Sequence, residues 1–234
     1  MAIMKISIVG RNKSLLEKEA KKYFKIDNKN PNIVIAYGGD GTFLYSEQLY
    51  PGVPKLLIKH SRTCIMCRNH DYSKVLPLLA NKKYKIIESS KVEAILKGRK
   101  ILGLNEINIH YNPPRALRLN VKVNNKEIAK EIISDGIVIA TPYGSSAYFK
   151  SITRKTFNKG LGIAFNNPTK PIKHRLISDK SVVKVKIARG EGIISVDCNK
   201  TLIPVKTGEV ITIKKSNKKA KLIQLRDKKL KYII

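Results

Sequence analysis

The chain has 234 residues, 42% of them apolar, and a formal net charge of +30 from 47 Lys and Arg against 17 Asp and Glu. The apolar share suffices for a packed core and argues against global disorder. No apolar run approaches the roughly 20 residues that span a bilayer, and the opening MAIMKISIVG is strand-like rather than a cleavable signal, so a cytoplasmic protein without a membrane role is expected.

In chain order, MKISIVG has a strand pattern with Ile6 and Ile8 on one face. Ser14-Leu15-Leu16-Glu17 has the form of a capping box opening a helix that runs to about Lys25, with Leu16, Ala20 and Tyr23 on its apolar side. Ile33 to Ala36 shows no alternation, as expected of a strand buried on both faces. Lys55 to Lys59 contains a further strand, and Asp71 to about Lys82 reads as a helix despite Pro77. This order predicts a small α/β domain over residues 1–88.

From about residue 89 the pattern changes to short strands and turns. Lys97-Gly98-Arg99-Lys100 predicts a hairpin turn, and Asn124-Asn125 a second turn after the alternating stretch Leu117 to Val123. Val183, Val185 and Ile187 alternate with Lys184 and Lys186, giving one buried face and one wet, basic face. Ile193 to Val196, Ile203 to Val205, Val210 to Ile213 and Leu222 to Leu225 continue the series. Residues 89–234 therefore read as a mainly β-sandwich domain, with the C-terminal tail packing back on the first domain.

Three polar clusters interrupt the apolar pattern. GGDGT, Gly38 to Thr42, follows a buried strand, where open α/β sheets place their ligands. Glycines at Gly38, Gly39 and Gly41 let backbone amides approach anionic oxygens, with Thr42 adding a hydroxyl. Asp40 in such a loop makes sense as a proton acceptor or a holder of Mg2+, although an Asp-Gly turn has the same composition. Asn105-Glu106 is a pair of poor strand formers in LGLNEINIHY. Their donors and acceptors suit a base edge and sugar hydroxyls; a β-bulge or edge turn is the alternative. In DGIVIATPYGSSAY, Asp135 to Tyr148, a buried strand is followed by a sharp turn at which Ser145 or Ser146 can cap a helix toward Ser151.

The three cysteines, Cys64, Cys67 and Cys198, form no secreted disulfide framework. His60, Cys64, Cys67 and His70 spell H-x3-C-x2-C-x2-H, four zinc-ligand types at a spacing tighter than most structural zinc sites, so buried or incidental thiols are preferred to a metal centre.

In their order and separation, GGDGT, the Asn105-Glu106 pair and DG-x4-TP-x-GS-x-AY resemble the NAD kinase family. Tyr143 and Ser146 stand where that family commonly has Thr or Ser and Thr, and NNPTKPIKHRLIS, Asn166 to Ser178, looks like a worn form of its proline- and histidine-containing stretch. The resemblance runs from Ile33 to about Leu225. It implies transfer of the terminal phosphoryl group of ATP, or of polyphosphate, to the 2′-hydroxyl of the adenosine ribose of NAD, with Mg2+ accompanying the donor. It also implies an N-terminal α/β domain, a C-terminal β-sandwich with the active site between them, and assembly as a homodimer or homotetramer. Residue by residue, it makes Asp40 the general base or a Mg2+ holder, with Gly38, Gly39, Gly41 and Thr42 as the phosphate-donor loop and Gly41 also lining the NAD site. Asn105 and Glu106 become adenosine contacts and Asp135 an orienting carboxylate. Ser146, Ala147, Tyr148 and Ser151 line the NAD site, with Arg115 and Asn199 as further contacts.

The chain departs from the family where Phe43-Leu44-Tyr45 replaces an expected basic residue and where LLIKHSRTCIMC lacks the usual glycines. Lys59 and Arg62 are candidates for restoring positive charge near the donor. A lipid kinase of the diacylglycerol type shares GGDGT but lacks a counterpart to the third cluster. The +30 charge suits nucleic acid, but no base-stacking motif accompanies it, so a dedicated nucleic-acid role is not expected.

Overall fold

The computed structural model describes residues 3–60, 71–112, 116–197 and 199–226. The chain divides into two compact units, residues 1–89 with 219–234, and residues 90–218.

The first unit is an α/β layer structure. Strand β1 (Lys5–Gly10) leads through helix α1 (Ser14–Ala20) to the short β2 (Lys25–Ile26), then β3 (Ile33–Gly38), helix α2 (Asp40–Leu49), β4 (Lys55–Lys59) and helix α3 (Tyr72–Ala80). Strands β2, β1, β3 and β4 pair in that order, all parallel. Every residue of β3 is buried, because Ile33, Ile35 and Tyr37 enter a core with Leu16, Leu76 and Leu79 of the helices while α2 packs against the strand as well. A strand covered on both faces has no reason to alternate.

Two local expectations change. Helix α1 ends at Ala20, its N-cap is Lys13, and no side chain caps it. The Ser14–Glu17 box therefore does not form; Glu17 instead pairs with Lys13 at 3.0 Å. Past the helix end, Phe24 is the buried aromatic and Tyr23 is 38% exposed. Helix α2 has no counterpart in the sequence reading. In α3, the Asp71 carboxylate accepts the Ser73 amide at 3.0 Å, and the helix continues through Pro77.

Strand β5 (Tyr84–Leu96) carries the chain into the second unit, followed by β6 (Arg99–Gly103), β7 (Glu106–Tyr111), β8 (Leu117–Val123), β9 (Lys126–Ser134) and β10 (Gly136–Ala140). A 3-10 turn (Tyr143–Ser146) and helix α4 (Tyr148–Thr153) precede β11 (Leu161–Asn166), β12 (Arg175–Ile177), β13 (Val182–Arg189), β14 (Gly192–Val196), β15 (Ile203–Val205) and β16 (Val210–Leu225). The β5–β6 and β8–β9 turns have positive φ at Lys97 (49°), Gly98 (78°), Asn124 (49°) and Asn125 (66°). Positive φ at both central residues matches the right-handed twist of the flanking strands.

In this unit β16, β13, β8 and β9 form one antiparallel layer, and β12, β11, β10, β7, β14 and β15 the other. Between them lies a core of alternate residues from both, among them Val121, Val185, Ile187, Ile109, Ile139 and Ile194. Strand β10 is buried throughout: Ile137 and Ile139 face this core, while Val138 and Ala140 pack with Phe149 of α4 on the outer face. Mixed α/β structure, two sheets and the sandwich agree with the fold class expected from the sequence.

Candidate active site

GGDGT is not a free loop. Gly38 ends β3, Gly39 is the N-cap of α2 with extended geometry (φ −121°, ψ −165°), and Asp40, Gly41 and Thr42 form the helix's first turn. A Cβ on Gly38 would lie 2.3 Å from the Thr42 hydroxyl oxygen, whereas a Cβ on Gly41 would meet no atom within 4 Å. Gly38 is thus required by internal packing, and Gly41 leaves open space beside the helix start. Asp40 brings its carboxylate to a helix N-terminus, where backbone amides and the helix dipole favour negative charge. Downstream, His60 donates its amide to the Gly38 carbonyl at 2.9 Å, and its ring stacks on Tyr37 at a centroid separation of 4.3 Å.

In the second unit, residues 104–106 form the corner between β6 and β7. Their polar backbone is satisfied from two sides. The Thr141 hydroxyl donates to the Leu104 carbonyl at 2.6 Å and the Thr141 amide to the Asn105 carbonyl at 2.8 Å. Asp197, at the end of β14, accepts the amides of Leu104 (2.8 Å), Asn105 (2.7 Å) and Glu106 (3.3 Å). The 3-10 turn closes on the same corner: Gly144 donates its amide to the Thr141 hydroxyl at 3.1 Å, and a Cβ at Gly144 would stand 2.2 Å from the Asn105 carbonyl oxygen.

The Glu106 side chain is 7% exposed. It accepts the Tyr148 amide at the start of α4, so this glutamate does the capping expected of Ser145 or Ser146. The N-cap residue of α4 is Ala147, with no side-chain cap of its own. Burial, and then the neighbouring Asp197 carboxylate, push Glu106 up to about 8 against the pull of that amide. Burial raises Asp197 too, opposed by its three backbone donors and by Lys91. The Oε2 atom of Glu106 is buried without a hydrogen-bond partner among the described residues. A polar ligand group completing this corner would relieve that cost.

Residues 104–225 match the family model described as the ATP-NAD kinase C-terminal domain. The chain is 32% identical over 212 residues to an NAD kinase of Sulfurisphaera tokodaii, covering 86% of this chain and 84% of that one. The chain belongs to the NAD kinase family. It is also 29% identical over 239 residues to an NAD kinase of Saccharolobus solfataricus, covering 94% of each chain. The same fold appears in the crystal structure of an NAD kinase from Archaeoglobus fulgidus in complex with ATP, at a TM-score of 0.80 and 20% identity over 97% of this chain and 96% of that one. Yeast NADH kinase complexed with NADH matches at 0.79 and 16% identity, over 95% and 84% of the two chains.

Of the residues that the NAD kinase motifs single out, Asn105, Glu106, Ala147 and Tyr148 come together at the β6–β7 corner. Ser151 instead donates its hydroxyl back to the Ala147 carbonyl at 3.2 Å. The Asn199 side-chain oxygen accepts the Thr201 amide at 2.9 Å within its own turn. Asp135 precedes β10 while Thr141 follows it, so β10, at about 3.3 Å per residue, holds Asp135 roughly 17 Å from the Glu106 corner along the strand. There Asp135 accepts the Asn167 side-chain amide at 3.1 Å. Arg115, Arg62, Cys64, Cys67, His70 and Cys198 lie outside the described residues. Among the described residues no three His, Cys, Asp or Glu side chains gather as a metal set. The sequence reading gave neither Asp197 nor Thr141 a role in the site: the single Asp of VDCNK has no spacing signal, and Thr141 stood only as one position of the third motif.

Proposed function

We infer that this chain transfers the terminal phosphoryl group of ATP to the 2′-hydroxyl of the adenosine ribose of NAD, forming NADP. The observation that carries the reading is the β6–β7 corner in a chain of this family: Asn105 and Glu106 are held by backbone clamps on both sides, with one buried carboxylate oxygen of Glu106 without a partner among the described residues. Asn105 supplies a donor and an acceptor to the adenosine, and Glu106 an oxygen to its hydroxyls. Asp40 takes the proton of the 2′-hydroxyl as the new P–O bond forms, and ADP leaves with the electrons of the broken P–O bond. A ribose hydroxyl is a poor nucleophile at neutral pH, so a positioned carboxylate that takes its proton helps the attack.

Inorganic polyphosphate offers the same terminal phosphoanhydride and is the second donor in this reading. In the alternative role Asp40 would hold a Mg2+ brought by the donor phosphates, since such an ion needs only one or two protein carboxylates. When bound, it neutralises charge on the transferring phosphoryl oxygens. The amides at the start of α2 orient the donor's phosphates, with Gly41 leaving the approach open. Assembly as a homodimer or homotetramer belongs to the reading too: it is supported by the distance of Asp135 from the Glu106 corner, which a neighbouring subunit's site can use. No helix among the described residues is long and apolar enough to cross a membrane, and the proposed setting is the cytoplasm.

The test is direct. Purified protein incubated with NAD, ATP and Mg2+ should generate NADP, read by an enzymatic cycling assay. No NADP with either ATP or polyphosphate overturns the reading.

A further inference from the structure

We infer that Asp197 is a positioning residue for the NAD site: its carboxylate, seated on the amides of Leu104, Asn105 and Glu106, holds the Asn105-Glu106 corner in its ligand-receiving shape before the dinucleotide arrives. The inference rests on the assignment of that corner to the adenosine of NAD.

The geometry carries it. Residues 104 and 105 lie between the ladders of β6 and β7. Their carbonyls accept from Thr141, and their amides, outside both ladders, need acceptors from elsewhere. Asp197 supplies them with both oxygens: Oδ2 takes the Leu104 amide at 2.8 Å, and Oδ1 takes those of Asn105 at 2.7 Å and Glu106 at 3.3 Å. The contact spans more than ninety positions of sequence and depends on β14 lying beside β7, with Val196 opposite Ile107. One residue beyond that pair, Asp197 adopts φ 49°, a left-handed conformation that Asp tolerates better than most residues. Only a carboxylate offers acceptors on both oxygens. An asparagine of the same shape must aim an NH2 group at a backbone amide. The charge matters as well, because Asp197 is the second cause, after burial, of the raised proton affinity of Glu106. Lys91 offsets the Asp197 charge. Asp197 thereby acts on both members of the corner without itself being assigned a substrate contact.

The experiment is Asp197→Asn in the full chain, with steady-state kinetics for each substrate and a pH profile of NAD affinity. The expected result is an NAD KM raised at least about tenfold, the scale of a lost charge-assisted hydrogen bond, with the ATP KM within about twofold. The limb of the NAD pH profile set by Glu106 should also move to lower pH, because its negative neighbour is gone. A merely structural role predicts instead a proportionate loss for both substrates and an unmoved limb, and that result overturns the inference. So does an unchanged NAD KM. If the variant does not fold, hydrogen exchange on the wild-type chain decides: the amides of residues 104–106 should be protected without NAD and gain little on its addition. Protection that appears only with NAD overturns the inference. Wild-type protein that makes no NADP sinks the functional reading and this inference with it, whereas active wild type with an indifferent variant sinks the inference alone.

Discussion

Gly144 lies flat against Asn105: a Cβ added to residue 144 would stand 2.2 Å from the Asn105 carbonyl oxygen and 2.5 Å from its carbonyl carbon and Cα. The turn that follows β10 and the corner that precedes β7 are thus one unit, and the glycine is what lets two backbones touch. Gly144→Ala must separate them. Overpacking of this kind costs about 1–3 kcal/mol, and the NAD KM should rise at least about tenfold with the ATP KM unchanged. Chemical denaturation and steady-state kinetics measure both, and an unchanged NAD KM would detach Gly144 from the site.

Gly41 offers the opposite case. With no atom within 4 Å of an added Cβ and a place in the first turn of α2, Gly41→Ala should fold normally and gain up to about 1 kcal/mol from helix propensity. If that open space receives the phosphate donor, the same substitution lowers kcat/KM for ATP by at least about tenfold, or about 1.4 kcal/mol of transition-state binding. A stabilised variant with full activity would show that the donor approaches elsewhere.

Asp40→Asn removes the proton acceptor while preserving shape. The loss in kcat should be on the order of 100- to 10,000-fold, the usual worth of a general base. The fold should lose about 1 kcal/mol, the scale of a favourable charge at a helix N-terminus, because the side-chain shape is kept. Thermal melting alongside NADP formation separates the two effects. Near-normal turnover would assign Asp40 to another task.

Glu106 makes stability depend on pH. Its carboxyl holds its proton up to about 8 in the folded chain, against 4.5 for an ordinary glutamate. Between those values the unfolded chain has released a proton that the folded chain retains, so stability falls as pH rises, by at most about 1.4 kcal/mol per pH unit. Glu106→Gln removes this dependence. Its melting temperature should match wild type near pH 5 and exceed it increasingly toward pH 8. Parallel melting curves across that range would show that Glu106 is ionised in the folded protein.

Lys55 and Glu47 tie β4 to α2. Both are buried, their charged atoms 2.5 Å apart, and Lys55 also donates to the carbonyls of Tyr50 at 2.6 Å and Val53 at 2.8 Å. Lys55→Met leaves a buried carboxylate without its counter-charge and should cost about 3–5 kcal/mol in denaturant unfolding. Adding Glu47→Gln should recover part of that. No recovery would place the cost in the two carbonyls rather than in the ion pair.

The sequence by itself determined the fold class, the two β-turns at Lys97-Gly98 and Asn124-Asn125, and the family motifs, because strand periodicity, turn chemistry and motif order are local properties. It did not disclose α2. Gly41 and the buried polar Ser46 and Glu47 break the apolar period of that helix, and Glu47 is tolerated inside because Lys55 of β4 and the Gly52 amide meet its carboxylate. Nor did it disclose that Glu106 takes the capping role assigned to Ser145 or Ser146, that Asp197 and Thr141 clamp the corner from just past the ends of β14 and β10, or that β10 holds Asp135 away from it. Those facts depend on which strands lie side by side. An isolated Asp at position 197 acquires its role only when antiparallel pairing of β7 with β14 brings it under three amides more than ninety residues distant.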